Sequence, residues 1–365
     1  PGHSAGMAPR ERSRPVRPVT GRSGGAWGSW NMATLRRVQA DRPSKHQWMP
    51  VIAGLCLLLL VCANVTGREL ILLDDFETED ARFWTTAVPE VPNTVCVPAS
   101  APVELVNPTV LGNGSPGSVT RAHIQAALDL GGQITFNMGT EPQTIVLDQE
   151  LVITREVVLD GAGLVILSGA DTTRVLRVVP AWDPNDGYTA TLQRLRIERG
   201  QTPPGAPFED SGAGILAPGG GAWQATSLVV VDCEFTNNHA VTEAQDSGGG
   251  AIYAIGLDRL VLADCVFEGN TGSNGGAVYS LGSREVIITD STFLGNTATG
   301  DDGNPGNGGN GGALGVDGAA RTVRVCGTFF RNNTANAYGA GFFSVMYDDS
   351  SLTEFVGCSF EGNLN

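Results

Sequence analysis

The feature that most constrains this chain is a repeat in its C-terminal half. Five segments end in Phe-x-x-Asn, at Phe235/Asn238, Phe267/Asn270, Phe293/Asn296, Phe330/Asn333 and Phe360/Asn363. Each is preceded by a Gly/Ala step: GAGI from Gly212, GGAI from Gly249, GGAV from Gly275, GGAL from Gly311 and GAGF from Gly339. Phe-to-Phe spacing varies (32, 26, 37, 30), while step-to-Phe spacing stays close to constant (23, 18, 18, 19, 21). The unit therefore has a fixed core, and its extra length sits after the Asn. The insertion DDGNPGNGGN, Asp301 to Asn310, is one such loop.

Seven and five places before each Phe lie apolar pairs: Leu228/Val230, Leu260/Leu262, Val286/Ile288 and Val323/Val325, with Thr353/Phe355 in the last unit. That alternation reads as a short strand. Two places before Phe the residue is always small: Cys233, Cys265, Ser291, Thr328 or Cys358. Gly is 49 of 365 residues, which with the β-branching excludes helices here. Such a unit cannot bury its apolar side alone, whereas stacked copies can. The expected fold is all-β: a right-handed parallel β-helix solenoid of about ten coils with a short N-terminal capping helix. The Phe column would fill the interior. The Asn column would form an amide ladder at a bend, and the Gly steps would allow a positive φ or a close turn.

The paired GGA[ILV]…FxxN motif, from Gly212 to Asn363, resembles the repeat of the polymorphic outer-membrane protein family, found in surface passengers of autotransporters. More broadly the chain is similar to right-handed β-helix proteins of the pectin-lyase-like superfamily. The first and last units depart from the motif with GAG. The resemblance implies a secreted or cell-surface, outer-membrane location. It leaves activity open, because this architecture hosts adhesins and carbohydrate enzymes alike.

Residues 115–365 are read as the β-helix. Ser118 is expected to N-cap a helix from Thr120 to Leu130, with Ile124, Ala127 and Leu128 on one side and Gly131 ending it. Strands are expected at Gln133–Phe136, Thr144–Leu147, Leu151–Ile153, Val157–Leu159, Leu164–Leu167, Arg174–Val178 and Leu192–Ile197. Residues 68–114 read as a lead-in segment or linker. No cap follows the last repeat before Asn365, so the solenoid is expected to continue past it.

Charge divides the chain. Residues 1–67 carry nine basic and two acidic side chains (+7); residues 68–365 carry 14 and 36 (−22), which together give the −15 total. The acidic part disfavours nucleic acid as a partner. The apolar run Val51–Ala63, behind Arg36, Arg37, Arg42 and Lys45, is too short to span a bilayer and reads as a secretory signal. A lipoprotein signal and a buried helix are the alternatives. No transmembrane helix is then expected in the mature chain. Five cysteines follow the run, so at least one is unpaired within the chain. Cys233 and Cys265 are either buried thiols or a bridge between coils.

Candidate chemistry rests on one column. Asp232, Asp264 and Asp290 lie three places before Phe in consecutive units, with Gly327 and Gly357 next in the series. Each Asp can serve a turn through its own backbone. Stacked at strand spacing they could instead hold Ca²⁺ or form the carboxylate pair of a retaining glycosidase. Asp301 and Asp302 are further Ca²⁺ candidates, but their loop has no EF-hand or nonapeptide pattern and reads rather as disordered. β-Helix lyases add an Arg or Lys base. Here Arg259 and Arg284 lie near the Asp strands without matched spacing, and His239 stands alone in a turn. No cofactor is otherwise expected. The leading functional expectation is a surface scaffold acting in adhesion or in binding a surface glycan or protein. A secreted polysaccharide lyase or glycoside hydrolase is the alternative, and a structural stalk a third.

Overall fold

The computed structural model describes residues 101–181, 183–203, 208–219, 224–303, 306–347 and 350–365. The readings of residues 1–67, of the apolar run 51–63 and of residues 68–100 fall outside them. The described chain is a parallel β-helix: every pairing between its strands is parallel, and the strands of successive coils stack in three sides.

The long side holds Thr109–Leu111, Gly132–Phe136, the first half of Val157–Ser168, the first half of Thr189–Glu198, Gln224–Val231, Leu257–Ala263, Glu285–Thr289, Thr322–Cys326 and Leu352–Val356. These nine layers are close to the about ten coils expected. The Phe side holds Gln143–Val146, the second halves of Val157–Ser168 and Thr189–Glu198, then Glu234–Thr236, Val266–Glu268, Thr292–Leu294, Phe329–Arg331 and Ser359–Glu361. The Tyr side runs from Leu151–Ile153 and Leu176–Val178 through Ile215–Ala217, Ile252–Ile255, Val278–Leu281 and Leu314–Gly318 to Phe342–Met346. A narrow strip, Thr271–Gly272, Thr297–Ala298 and Thr334–Ala335, joins the last two sides.

The repeat positions become columns. Phe235, Phe267, Phe293, Phe330 and Phe360 stack ring on ring at 5.0, 4.6, 4.9 and 4.6 Å, within 11° of parallel. The apolar pairs of the long side, Leu228/Val230 to Val323/Val325, are fully buried against them. The Gly that opens each step has a positive φ: Gly212, Gly249, Gly275, Gly311 and Gly339 lie between 53° and 71°. A Cβ there would meet the carbonyl oxygen three residues on, at 2.2 Å for Gly212, Gly249, Gly275 and Gly339, so only Gly fits.

Two local expectations change. Val157–Leu159 and Leu164–Leu167 form one bent strand, Val157–Ser168, kinked at Ala162 and Gly163, both with positive φ. The helix is Arg121–Leu130, capped by Thr120 rather than Ser118. Ser118 is held in the preceding turn, where its hydroxyl donates to Ser115 O at 2.7 Å, while the Thr120 N–H donates to His123 Nδ1 at 3.2 Å. Gly131 ends the helix as expected, donating to Ala127 O and Leu128 O.

The helix protects the first coil. Ile124, Ala127 and Leu128 are buried in the main core. Leu151–Ile153 is the edge strand of the Tyr side, and an open edge invites pairing with another chain. Gln125 supplies what a neighbouring strand would: its Nε2 donates to Val152 O at 2.9 Å, and its Oε1 accepts the Val152 N–H at 2.8 Å.

Candidate functional site

Asp232, Asp264 and Asp290 sit at the corner between the long side and the Phe side. Their φ angles are 52°, 52° and 47°, and the series continues through Gly327 (57°) and Gly357 (61°). Asp is among the few side chains that tolerate this left-handed turn, and Gly the best. Each backbone N–H points along the stack: Asp232 to Ala263 O at 2.9 Å, Asp264 to Thr289 O at 3.1 Å, Asp290 to Cys326 O at 2.9 Å. The column is thus a chain-reversal position first.

The small residue just after the corner has a matching task. Ser291 Oγ and Thr328 Oγ1 each donate at 2.8 Å to the carbonyl two residues back, across the corner. Cys233, Cys265 and Cys358 make the same contact with sulfur at 3.3, 3.2 and 3.6 Å. These three cysteines are free and buried, so Cys233 and Cys265 are not bridged. Burial pushes the Cys265 thiol up to about 12 and Cys233 well above its ordinary value, which leaves both unreactive.

All three Asp carboxylates reach solvent. Partial burial, then the charges of Asp290 and Asp232, hold the Asp264 carboxyl above the usual range. The neighbours therefore do feel one another across the coils. Asp290 leans over Gly327, where a Cβ would lie 2.3 Å from its Oδ1. Neither Arg259 nor Arg284 stands beside this row. The cation next to it is Arg194, at the same left-handed corner one coil before Asp232 (φ 53°), where it pairs with Asp160 and feels the Asp232 charge. Arg259, near the start of its strand, and Arg284, just before its strand, lie about 17 and 20 Å of extended chain from the corner. They are paired there, Arg259 with Glu285 at 3.2 Å and Arg284 with Asp258 at 2.7 Å. His239 shares a hydrogen with Thr271 Oγ1 at 2.8 Å, a contact between adjacent coils.

Asp301 and Asp302 are exposed. Their loop is not unstructured in its described residues: Gly303 and Gly308 pair antiparallel, Asn307 O accepts from Ala244 N at 3.0 Å and from Ser273 Oγ at 2.9 Å, and Asn307 Nδ2 reaches Asp301 Oδ1 at 3.3 Å. Among the described residues no set of three or more His, Cys, Asp or Glu side chains is placed to hold a metal ion.

The sides differ in what they offer a partner. On the Tyr side the outward residues Leu216, Tyr253 and Tyr279 are buried under loops, the two tyrosine rings 5.8 Å apart. On the long side the outward row nearest the Asp corner, Val231, Ala263, Thr289 and Cys326, is buried as well. The Phe side is open. Its outward rows carry Glu234, Glu268, Phe329, Arg331 and Glu361, all exposed, with Val266, Thr292, Leu294 and Ser359 half-buried between them and Thr236 buried at one end. Phe329, 56% exposed, is an apolar group among charges. A cavity of about 320 Å³ lies at one end of this surface, lined by Arg196, Thr236, Asn237, Glu268 and Leu294. Its floor is the second left-handed corner, Asn237, Gly269 and Gly295.

Sequence reasoning missed a second polar cluster. Glu150 binds Arg174 Nη1 at 2.6 Å and Arg177 Nε at 2.8 Å, and Glu209 binds Arg177 Nη2 at 2.6 Å. Glu150, Arg174 and Arg177, with Arg121, Thr172 and Thr173, line a cavity of about 450 Å³ beside the capping helix. Their charges are mutually paired, and the partners lie 24 to 32 residues apart, so no local pattern announces them.

Two coils of this surface match a known repeat. The Chlamydia polymorphic membrane protein (Chlamydia_PMP) repeat matches residues 232–255 and 264–281. Each matched stretch of this polymorphic membrane protein repeat runs from an Asp corner through a Phe strand, the Asn and the Gly step to a Tyr-side strand. No curated protein and no solved structure matches the chain. Among the described residues no helix is long and apolar enough to cross a membrane.

Proposed function

We propose that this chain is an exported, surface-displayed β-helix scaffold, and that it binds a surface glycan or protein partner on the outward Phe side. The single observation carrying this reading is the run of exposed outward side chains on the Phe side, Glu234, Glu268, Phe329, Arg331 and Glu361, while Leu216, Tyr253 and Tyr279 on the Tyr side and the Val231-to-Cys326 row of the long side are buried. A flat, rigid strip of mixed charge with an isolated exposed ring suits reversible contact with an extended partner. The polymorphic membrane protein repeat supports display at an outer membrane, and the basic-flanked apolar run supports export.

The test is binding of the purified chain to a broad glycan panel and to intact cell surfaces. Phe329→Ser, Glu268→Arg and Arg331→Glu would be compared with Asp264→Asn, which alters the corner alone. Binding that falls at least tenfold in the Phe-side variants and stays unchanged in Asp264→Asn supports the proposal. The same chain would be assayed for turnover of acidic polysaccharides, with and without Ca²⁺. Turnover abolished by Asp232→Asn, Asp264→Asn or Asp290→Asn in folded protein would replace the scaffold with a lyase or hydrolase.

A further inference from the structure

Side chains at the second corner lean along the stack over the next coil. Asn237 Oδ1 lies over Gly269, where a Cβ would meet it at 2.7 Å, and Asn332 Oδ1 lies over Gly362, at 2.6 Å. Gly269 has no side chain to place over its own neighbour. The corner at Gly295 is therefore bare: a Cβ added there would meet nothing within 4 Å. Its φ of 60° is close to the 52° of Asn237 and of Asn332, so the gap comes from a missing side chain and not from a different backbone. Gly269 and Gly295 both line the cavity of about 320 Å³ at this end of the Phe side.

The walls of this notch are polar and have bonding capacity to spare. Thr236 is buried, and the longer Arg196 and Glu268 stand on the strands to either side of it. Arg196 uses its Nε on Glu198 Oε2 at 2.9 Å and on Thr236 Oγ1 at 3.3 Å, which leaves both Nη groups with unused donors. Among the described residues, neither the Glu268 carboxylate nor the Asn237 side-chain amide has a hydrogen-bond or ion-pair partner. Leu294, half-buried, adds one apolar wall. An acceptor, a donor and an amide that is both thus surround one small space. The ligand that matches them carries several groups that donate and accept at once, and hydroxyls do so.

Size and charge narrow the choice. Small-molecule sites begin at about 300 Å³, so the notch suits one ring and not a length of chain. Glu198 answers the charge of Arg196, and Glu268 stands unanswered, so an anionic sugar would meet a like charge. We infer that this notch is the subsite for one neutral pyranose unit of a glycan. Glu268 accepts from two neighbouring hydroxyls, Asn237 and Arg196 bind a third, and Leu294 packs against the C–H side of the ring. The assignment rests on the glycan form of the proposal above, and it puts the sugar in a cavity that Phe329 does not line.

The test is titration of the purified chain with methyl glucoside, methyl galactoside and methyl mannoside, and with the anionic methyl glucuronide, read by ligand-observed NMR. At least one neutral glycoside should bind, and methyl glucuronide at least tenfold more weakly. Gly295→Asn fills the notch with a side chain that the same column already carries at Asn237 and Asn332, and binding should fall at least tenfold. Glu268→Gln should weaken it at least fivefold. Gly357→Asn puts the same amide at the first corner, where a Cβ also meets nothing within 4 Å, and should change nothing. Circular dichroism checks that each variant is folded; should Gly295→Asn not fold, Glu268→Gln, at an exposed position, decides. No neutral glycoside bound, binding unmoved by Gly295→Asn, or methyl glucuronide bound most tightly would overturn the assignment. Cell-surface binding separates its failure from that of the scaffold. A surface signal lost in Phe329→Ser while no glycoside binds ends the notch and keeps the scaffold. A glycoside lost in Gly295→Asn from a chain that binds no cell surface keeps the notch and ends the scaffold.

Discussion

Asn270 and Asn296 are joined by two hydrogen bonds to one oxygen: Asn296 Oδ1 accepts the Asn270 Nδ2 at 3.0 Å and the Asn270 backbone N–H at 3.0 Å. The same pair of contacts recurs from Asn238 to Asn270, Asn296 to Asn333 and Asn333 to Asn363. The second amide hydrogen reaches back to a carbonyl beside the Phe column, as Asn270 Nδ2 does to Phe235 O at 3.0 Å. All are buried.

Replacing one member of this ladder strands several groups at once. Asn270→Ala takes the acceptor from the Asn238 backbone N–H and from one of its two amide hydrogens, and takes a donor from the Phe235 carbonyl. The expected loss is about 2–4 kcal/mol. Asn270→Asp should fare no better, because a carboxylate cannot donate to Phe235 O. Urea denaturation of the two variants checks both; recovery by Asp would contradict the donor role.

The Phe column makes a different demand, for shape. Phe293 is fully buried between Phe267 and Phe330, at 4.6 and 4.9 Å. Phe293→Ala should cost about 3–5 kcal/mol, whereas Phe293→Leu, which retains most of the volume, should cost clearly less. The same denaturation series distinguishes them.

At the Asp corner the backbone predicts the opposite of a catalytic reading. Asp264→Gly should be tolerated, because Gly327 and Gly357 already occupy the column. Asp264→Val should cost about 1–2 kcal/mol for a branched residue at positive φ. The pH dependence follows from the raised pKa. Ionisation opposes the fold, so the penalty is absent below the unfolded value of about 3.9 and complete once pH passes the higher folded value. Asp264→Asn should therefore gain stability over the parent at neutral pH and none at pH 3. The gain should be within about 0.5 kcal/mol, because the group is largely exposed. Melting curves at the two pH values give the sign.

Gln125 acts on an edge. Gln125→Ala removes both contacts with Val152, and exchange of the Val152 amide should quicken at least tenfold while amides of the Phe column stay protected. Equal acceleration in both places would mean that Gln125 supports the whole stack.

Much of this architecture could be read from the string because the repeat fixes it. The interior Phe and the buried Asn recur three residues apart, the Gly step recurs at a nearly constant distance before them, and each proved to be a column. The second corner was equally present, as the Asn or Gly before each ladder Asn (Asn237, Gly269, Gly295, Asn332, Gly362), and its meaning appears only with the positive φ values. The role of Cys233, Ser291 and Thr328 was visible as smallness and not as a bond to the carbonyl two residues back. What the pattern could not reveal are pairings that skip a coil's length. Glu150 with Arg174, Gln125 with Val152 and Val103 with Gln193 depend on which residues the winding brings abreast. The difference among the outward sides is of the same kind: nothing in the repeat marks Thr289, 2% exposed, as covered and Glu268 as open.

Asp264 and Asp290 occupy the same corner of adjacent coils, so the stretch between them is one complete circuit. Excising it would splice one corner onto its twin, with the Phe stack and the amide ladder closing over the join. Duplicating it would lengthen the molecule by about 4.8 Å. The length of such a chain is therefore counted in circuits, and a gene that recombines between its own repeats alters how far the molecule reaches without rewriting how it folds.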